Sequence, residues 1–121
     1  MTKERPELKG LINERTTKIE QFQNTVIRPL IKMQNDLLFA MLQQNFIKRK
    51  VDFSIFSQEK KKEKIKSTLE KDLQFKNKVI GIIIGHFSMD EYLAYQQNEN
   101  EYNRRIKQIV ITRYQDSISI S

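Results

Sequence analysis

Apolar residues recur every three to four positions at Leu30, Met33, Leu37, Met41 and Phe46, with Ile31, Leu38 and Leu42 widening the same face. That period fits one side of an α-helix, and it predicts a helix from Pro29 to about Lys50, roughly 22 residues or about 33 Å long. Lys48, Arg49 and Lys50 suit its end, where cations meet the negative pole of the helix dipole. Ahead of it, Thr17 and Glu20 have the spacing of a capping box for a short helix through Ile19, Phe22 and Val26. Pro29 interrupts that helix, and a kink or restart is expected at Arg28.

The next periodic stretch begins after Ser57, a plausible N-cap, and runs through Ile65, Leu69, Leu73, Val79, Ile80, Ile83 and Ile84. Its first turns are charged and must be solvated; its last are apolar and must be buried. Isoleucine and valine also favour strands. Here, however, they continue a helical pattern, and no second strand-like segment is available to pair with them. Gly81 and Gly85 then fall on one helix face, either to admit a close backbone neighbour or, for Gly85, to end the helix.

A tight corner follows. Ser88 and Glu91 form a second capping box, Phe87 and Tyr92 are placed as its hydrophobic staple, and Asp90 and Glu91 sit at the positive helix pole. The helix so started extends from Met89 to about Asp116, with Tyr92, Tyr95, Tyr102, Ile106, Ile109, Val110 and Tyr114 or Arg113 on one face. Its middle, Gln96 to Glu101, either lies exposed or packs through Tyr95 and Tyr102 alone. Between the second and third elements, Val51, Phe53, Ile55 and Phe56 are expected to fold back over the bundle end.

These elements predict an all-α fold: an antiparallel bundle of three long helices plus a short Pro-interrupted N-terminal helix. Residues 1–16 read as a flexible lead-in, 17–116 as the bundle domain and 117–121 as a frayed tail. In the third element, Phe75, Val79, Ile82 and His86 make a side face beyond the main stripe, which favours a homodimer.

Composition narrows the chemistry. With 121 residues the chain is one domain of modest core, and its three glycines and two prolines allow few turns. It has no cysteine, so disulfides, thiolate metal sites and cysteine nucleophiles are excluded. Its longest apolar run spans only Val79 to Ile84, which predicts no signal peptide or membrane span and a cytoplasmic protein. His86 is the only histidine, so mechanisms needing two imidazoles in one chain are excluded, and a structural role is expected for it.

The net charge is +7. Residues 1–57 carry ten basic and six acidic groups, 58–88 eight and four, and 89–121 four and five, so the first two thirds hold the excess. Such a field attracts nucleic acid or acidic proteins without naming either. The residues placed for phosphate are Lys60, Lys61, Lys62, Lys64 and Lys66 at one helix start, and Arg104, Arg105 and Lys107 beside Tyr102. Against them stand the interleaved Glu59 and Glu63, and Glu99 and Glu101 just before the arginines. Asp72, four residues before Lys76, suits a surface ion pair, and Gln34, Asn35 and Asp36 form a polar notch expected to face solvent.

The run from Phe22 to Leu38 (FQNTVIRPLIKMQNDL), with Ile83-Ile-Gly-His-Phe87 and Asn103-Arg-Arg-Ile106, resembles a group of short uncharacterised bacterial proteins, some labelled glyoxalase. The resemblance covers most of the chain from about Thr17, and its motifs imply structure rather than an activity. A glyoxalase I fold is built from βαβββ modules with histidine and glutamate metal ligands, and this chain has one histidine and hardly any strand signal.

The sequence thus points to a non-catalytic helical interaction or assembly protein with a protein partner or a homodimer. It implies no cofactor, no metal, no membrane partner and no small-molecule substrate. The alternative is a basic factor associated with nucleic acid or ribonucleoprotein, working through the lysines and arginines just named.

Overall fold

The computed structural model describes residues 14–120, and every regular element among them is helical. Most of the lead-in expected at 1–16 therefore lies outside the described residues. The elements are α1 (Glu14–Phe22), a π-helical turn (Gln23–Ile27), α2 (Arg28–Met33), α3 (Asn35–Lys48), a 3-10 turn (Phe53–Ile55), α4 (Gln58–Lys71), α5 (Leu73–Ile84), α6 (Met89–Gln96) and α7 (Glu99–Ile120). The all-α expectation holds. Among the described residues no helix is long and apolar enough to cross a membrane.

Each predicted helix is segmented, and the breaks have local causes. Thr17 lies inside α1 rather than at its cap. Before Pro29 the chain widens into the π turn, where the Arg28 N–H donates to the Gln23 carbonyl. A wide turn makes room for a proline ring that would otherwise strike the preceding turn. Arg28 accordingly stays helical, with φ −60° and ψ −45°, instead of being driven out of that region. At Gln34 (φ −95°, ψ 17°) the chain leaves helical geometry for one residue before α3 begins.

The largest correction is at Asp72. The single helix expected from Gln58 to Gly85 breaks there, because Asp72 (φ −89°, ψ 90°) closes α4 and N-caps α5, its carboxylate accepting from the Phe75 N–H at 3.1 Å. Its second oxygen accepts from Asn45 Nδ2 at 3.1 Å, so its partners are a backbone amide and another helix instead of Lys76. The long C-terminal helix is likewise divided at Gln97 and Asn98, and α7 continues to Ile120, past the Asp116 end predicted for it.

The core is continuous. Ile27, Ile31, Leu38, Leu42 and Phe46 from the first half meet Ile65, Leu69, Phe75, Val79 and Ile83 of α4 and α5, and Tyr102, Ile106, Val110 and Tyr114 of α7. Phe75 and Val79, half of the face read as a dimer seam, are buried in this core. Ile82 is half-buried and His86 exposed, so the chain's own neighbours cover only part of that face. Gly81 has open space where a Cβ would stand, so it admits no close backbone, and Gly85 is the C-cap of α5 in ordinary helical geometry.

Local signals that hold are the caps at Ser57 and Ser88. Ser88 accepts from the Glu91 N–H at 3.1 Å while the Glu91 carboxylate accepts from the Ser88 N–H at 2.8 Å, and Ser57 accepts from the Lys60 N–H. The end of α3 is a Schellman motif: Val51 N–H donates to the Phe46 carbonyl and Lys50 N–H to the Ile47 carbonyl. Lys50 takes the left-handed position (φ 58°) where glycine is usual.

Candidate functional site

Several side chains that looked available for chemistry are engaged in tying helices together. Gln34 and Asn35, read as facing solvent, are half-buried and hydrogen-bonded to other helices. The Gln34 amide nitrogen lies 2.7 Å from His86 Nε2, which accepts when the imidazole carries its proton on Nδ1. Asn35 Oδ1 accepts from Arg113 Nε at 2.6 Å. Only Asp36 of the notch is exposed.

The arginine cluster is similarly engaged. Glu101 accepts from Arg104 Nη2 at 2.6 Å and from Arg105 Nε at 2.7 Å, and both guanidinium groups hold its carboxyl below the usual glutamate range. Arg105 Nη1 also donates to Gln23 Oε1 at 2.8 Å, locking α7 onto the π turn. Arg104 is exposed but paired to Glu101, and Lys107 is half-buried.

The lysine cluster divides between packing and solvent. Lys61 Nζ lies over the Phe53 ring at 5.6 Å and Lys64 Nζ over Phe56 at 5.4 Å, so these two hold the 51–57 connection against α4. Lys60 pairs with Glu63 at 3.4 Å on an exposed surface, and Lys66 is exposed. The Lys62 carbonyl accepts from Gln115 Nε2, which places this cluster beside the C-terminal end of α7. The arginines lie ten or eleven residues earlier on that helix, about 15 Å away along its axis.

Three of the four tyrosines of α6 and α7 are buried. Tyr95 and Tyr102 are the buried side chains of the polar middle, as one of the two expected arrangements required, and their rings stack at 6.3 Å. Burial raises both phenols above the ordinary tyrosine value, while the bond from Tyr95 Oη to Asn103 Oδ1 at 2.6 Å acts against it. Tyr114 is almost fully buried, donates to the Leu38 carbonyl and meets Phe39 edge-on at 5.0 Å.

The ties missed by sequence reasoning join residues far apart in the chain: Gln34 to His86, Asn45 to Asp72, Arg49 to Thr68 and Gln23 to Arg105. Spacing within one helix gives no sign of them, because the partners lie 19 to 82 residues apart in the chain. A groove beside the Asp72 break is lined by Met41, Asn45, Lys48, Asp72, Phe75 and Lys78, and Asn45 Oδ1 is buried without a partner. The carboxyl of Asp72 is held below the usual aspartate range, first by the Phe75 amide, then by Asn45 and by the charge of Arg49.

Asp72→Ala is expected to cost about 1–2 kcal/mol, since it removes a cap and leaves the Asn45 amide unpaired. The stabilisation is present above the unfolded carboxylate value of about 4 and is lost as pH falls through the lower folded value. Urea denaturation of both proteins across that window should show the difference closing at low pH.

No group of three or more metal-ligating side chains occurs among the described residues. Comparison with family models, curated proteins and solved structures returns no match. The surface that stands out is on α6, where Met89 is 72% exposed, Leu93 52% and Tyr92 38%, at the i, i+3 and i+4 positions of one helical face.

Proposed function

We propose that this chain is a non-catalytic helical interaction protein that works as a homodimer, its seam formed by Met89, Tyr92 and Leu93 of α6. The observation that carries it is that exposed apolar stripe on a helix whose start is locked by a full capping box. Such a stripe on a rigid helix suits association with another apolar helix. The engagement of Arg105, Asn35, Gln34 and His86 in cross-helix ties supports a structural role for them.

In this reading residues 14–48, 58–84 and 89–120 are three segmented rods of an antiparallel bundle. Phe22 with Tyr102, Asn35 with Arg113 and Leu38 with Tyr114 advance in the same sense along the first and third rods. Asn45 with Asp72 and Arg49 with Thr68 run in the opposite sense. The nucleic-acid alternative retains the lysines of α4 and loses most of the arginine cluster to Glu101 and Gln23.

Leu93→Glu tests the function. Light scattering of the wild-type chain should give a dimer mass that dissociates on dilution, and the variant should be a folded monomer with at least a tenfold weaker association. Identical masses for the two proteins at all concentrations would remove α6 as the seam.

A further inference from the structure

The end of the molecule around the α3 to α4 connection combines charge and exposed apolar surface in a way the proposed dimer seam does not use. Residues 47–66 carry eight basic side chains and three acidic ones, a net +5 out of +7 for the whole chain. Ile55 is 72% exposed within this segment, and Ile47, in the last turn of α3, is 67% exposed. Ile55 lies between Phe53 and Phe56 in the chain, and each of those rings carries a lysine ammonium. By contrast, residues 79–103 contain no lysine or arginine and include Asp90, Glu91, Glu99 and Glu101. The molecule is therefore electrically polar along its length.

We propose that the basic end docks on the surface of an anionic lipid bilayer. Ile55 enters the headgroup boundary, and the ammonium groups around it meet lipid phosphates and carboxylates. Basic clusters of this size bind anionic leaflets, and an apolar side chain at the centre adds burial that a purely electrostatic partner does not supply. Docking of this kind needs no spanning helix, so it is compatible with the absence of one among the described residues.

The aromatic rings favour lipid over nucleic acid. Phe46 and Phe53 stack at 4.9 Å, with Arg49 over Phe46 and Lys61 over Phe53. Phe56 is covered by Lys64 and meets Phe53 edge-on. These rings are occupied within the chain and do not serve as platforms for nucleobases, which is how single strands are held beside a basic groove. The large apolar side chains that remain exposed at this end, Ile47 and Ile55, are aliphatic. Pointing this end at a bilayer also turns the acidic α6 region away from it, so docking and the proposed seam do not compete, and either stands if the other fails.

The test is vesicle flotation with the whole chain, using phosphatidylcholine vesicles with and without about a third phosphatidylserine. The anionic vesicles should bind at least about tenfold more protein at low salt, and the excess should fall as salt rises. Lys60→Gln, Lys62→Gln and Lys66→Gln together spare the two lysines packed on rings and should weaken binding by about tenfold or more. Ile55→Asp, at an exposed position, should weaken it by about tenfold with helix content by circular dichroism unchanged. Equal binding to neutral and anionic vesicles would overturn the inference, as would an Ile55→Asp variant that binds like wild type. Tight binding to a single-stranded RNA oligonucleotide with no vesicle binding would overturn it in favour of nucleic acid.

Discussion

Replacing Tyr114 by alanine is expected to destabilise the fold by about 3–5 kcal/mol, the range for truncating a fully buried aromatic side chain. Tyr114 is 1% exposed, packs edge-on against Phe39 and donates to the Leu38 carbonyl across the interface of α3 and α7. Tyr114→Phe keeps the ring and removes only the hydroxyl, so it should cost about 1 kcal/mol. Chemical denaturation of the two variants separates packing from hydrogen bonding. A loss for Tyr114→Phe as large as for Tyr114→Ala would mean that the hydroxyl, and not the ring, secures the interface.

The same residue gives the stability an alkaline limit. Burial raises the Tyr114 phenol well above its ordinary value, so the folded chain keeps a proton that the unfolded chain releases. Stability is then full below the unfolded tyrosine value of about 10 and declines as pH rises beyond it. Tyr95 and Tyr102 are shifted in the same direction and add to the decline. Tyr114→Phe should flatten part of it.

Phe22→Ala is the second large effect. Phe22 meets Phe87 edge-on at 5.6 Å and Tyr102 at 4.7 Å, so one ring holds the end of α1, the corner before α6 and the start of α7 together. The expected cost is about 3–5 kcal/mol. Because the loss is centred on the corner, hydrogen exchange should accelerate more at Phe87 and Tyr95 than at Ile65 and Leu69. Uniform acceleration would show that the corner does not open as a unit.

What the sequence revealed of this fold follows from how local each signal is. Ser88 with Glu91, and Ser57, act within one turn, and the structure has all of these caps. The breaks at Gln34, Asp72 and Gln97 were not legible, because none contains the glycine or proline that usually interrupts a helix. Aspartate is a good cap, yet Asp72 sits in a stretch whose period continues on both sides, and its bonds to the Phe75 amide and to Asn45 on a distant helix accompany the break.

The candidate site was less legible still. Arg105 shares a helix with Glu101, a pairing its spacing permits, but its bond to Gln23 joins positions 82 apart. Phe75 and Val79 show the same limit from the apolar side. A second hydrophobic stripe reveals that something covers it, and for these two residues the cover is the chain's own core. The exposed stripe on α6 was hidden among residues that also read as core, since Tyr92 shares a periodic face with the buried Tyr95.

The absence of cysteine makes the α6 seam directly testable. In a homodimer joined through α6, Leu93→Cys lies near the two-fold axis and should oxidise to a covalent dimer at micromolar protein, since a disulfide forms only when the two Cα atoms come within about 7 Å. Leu73→Cys, at least as exposed but at the start of α5, should form no covalent dimer under the same conditions. Equal cross-linking of the two variants, or none at position 93, would contradict the account.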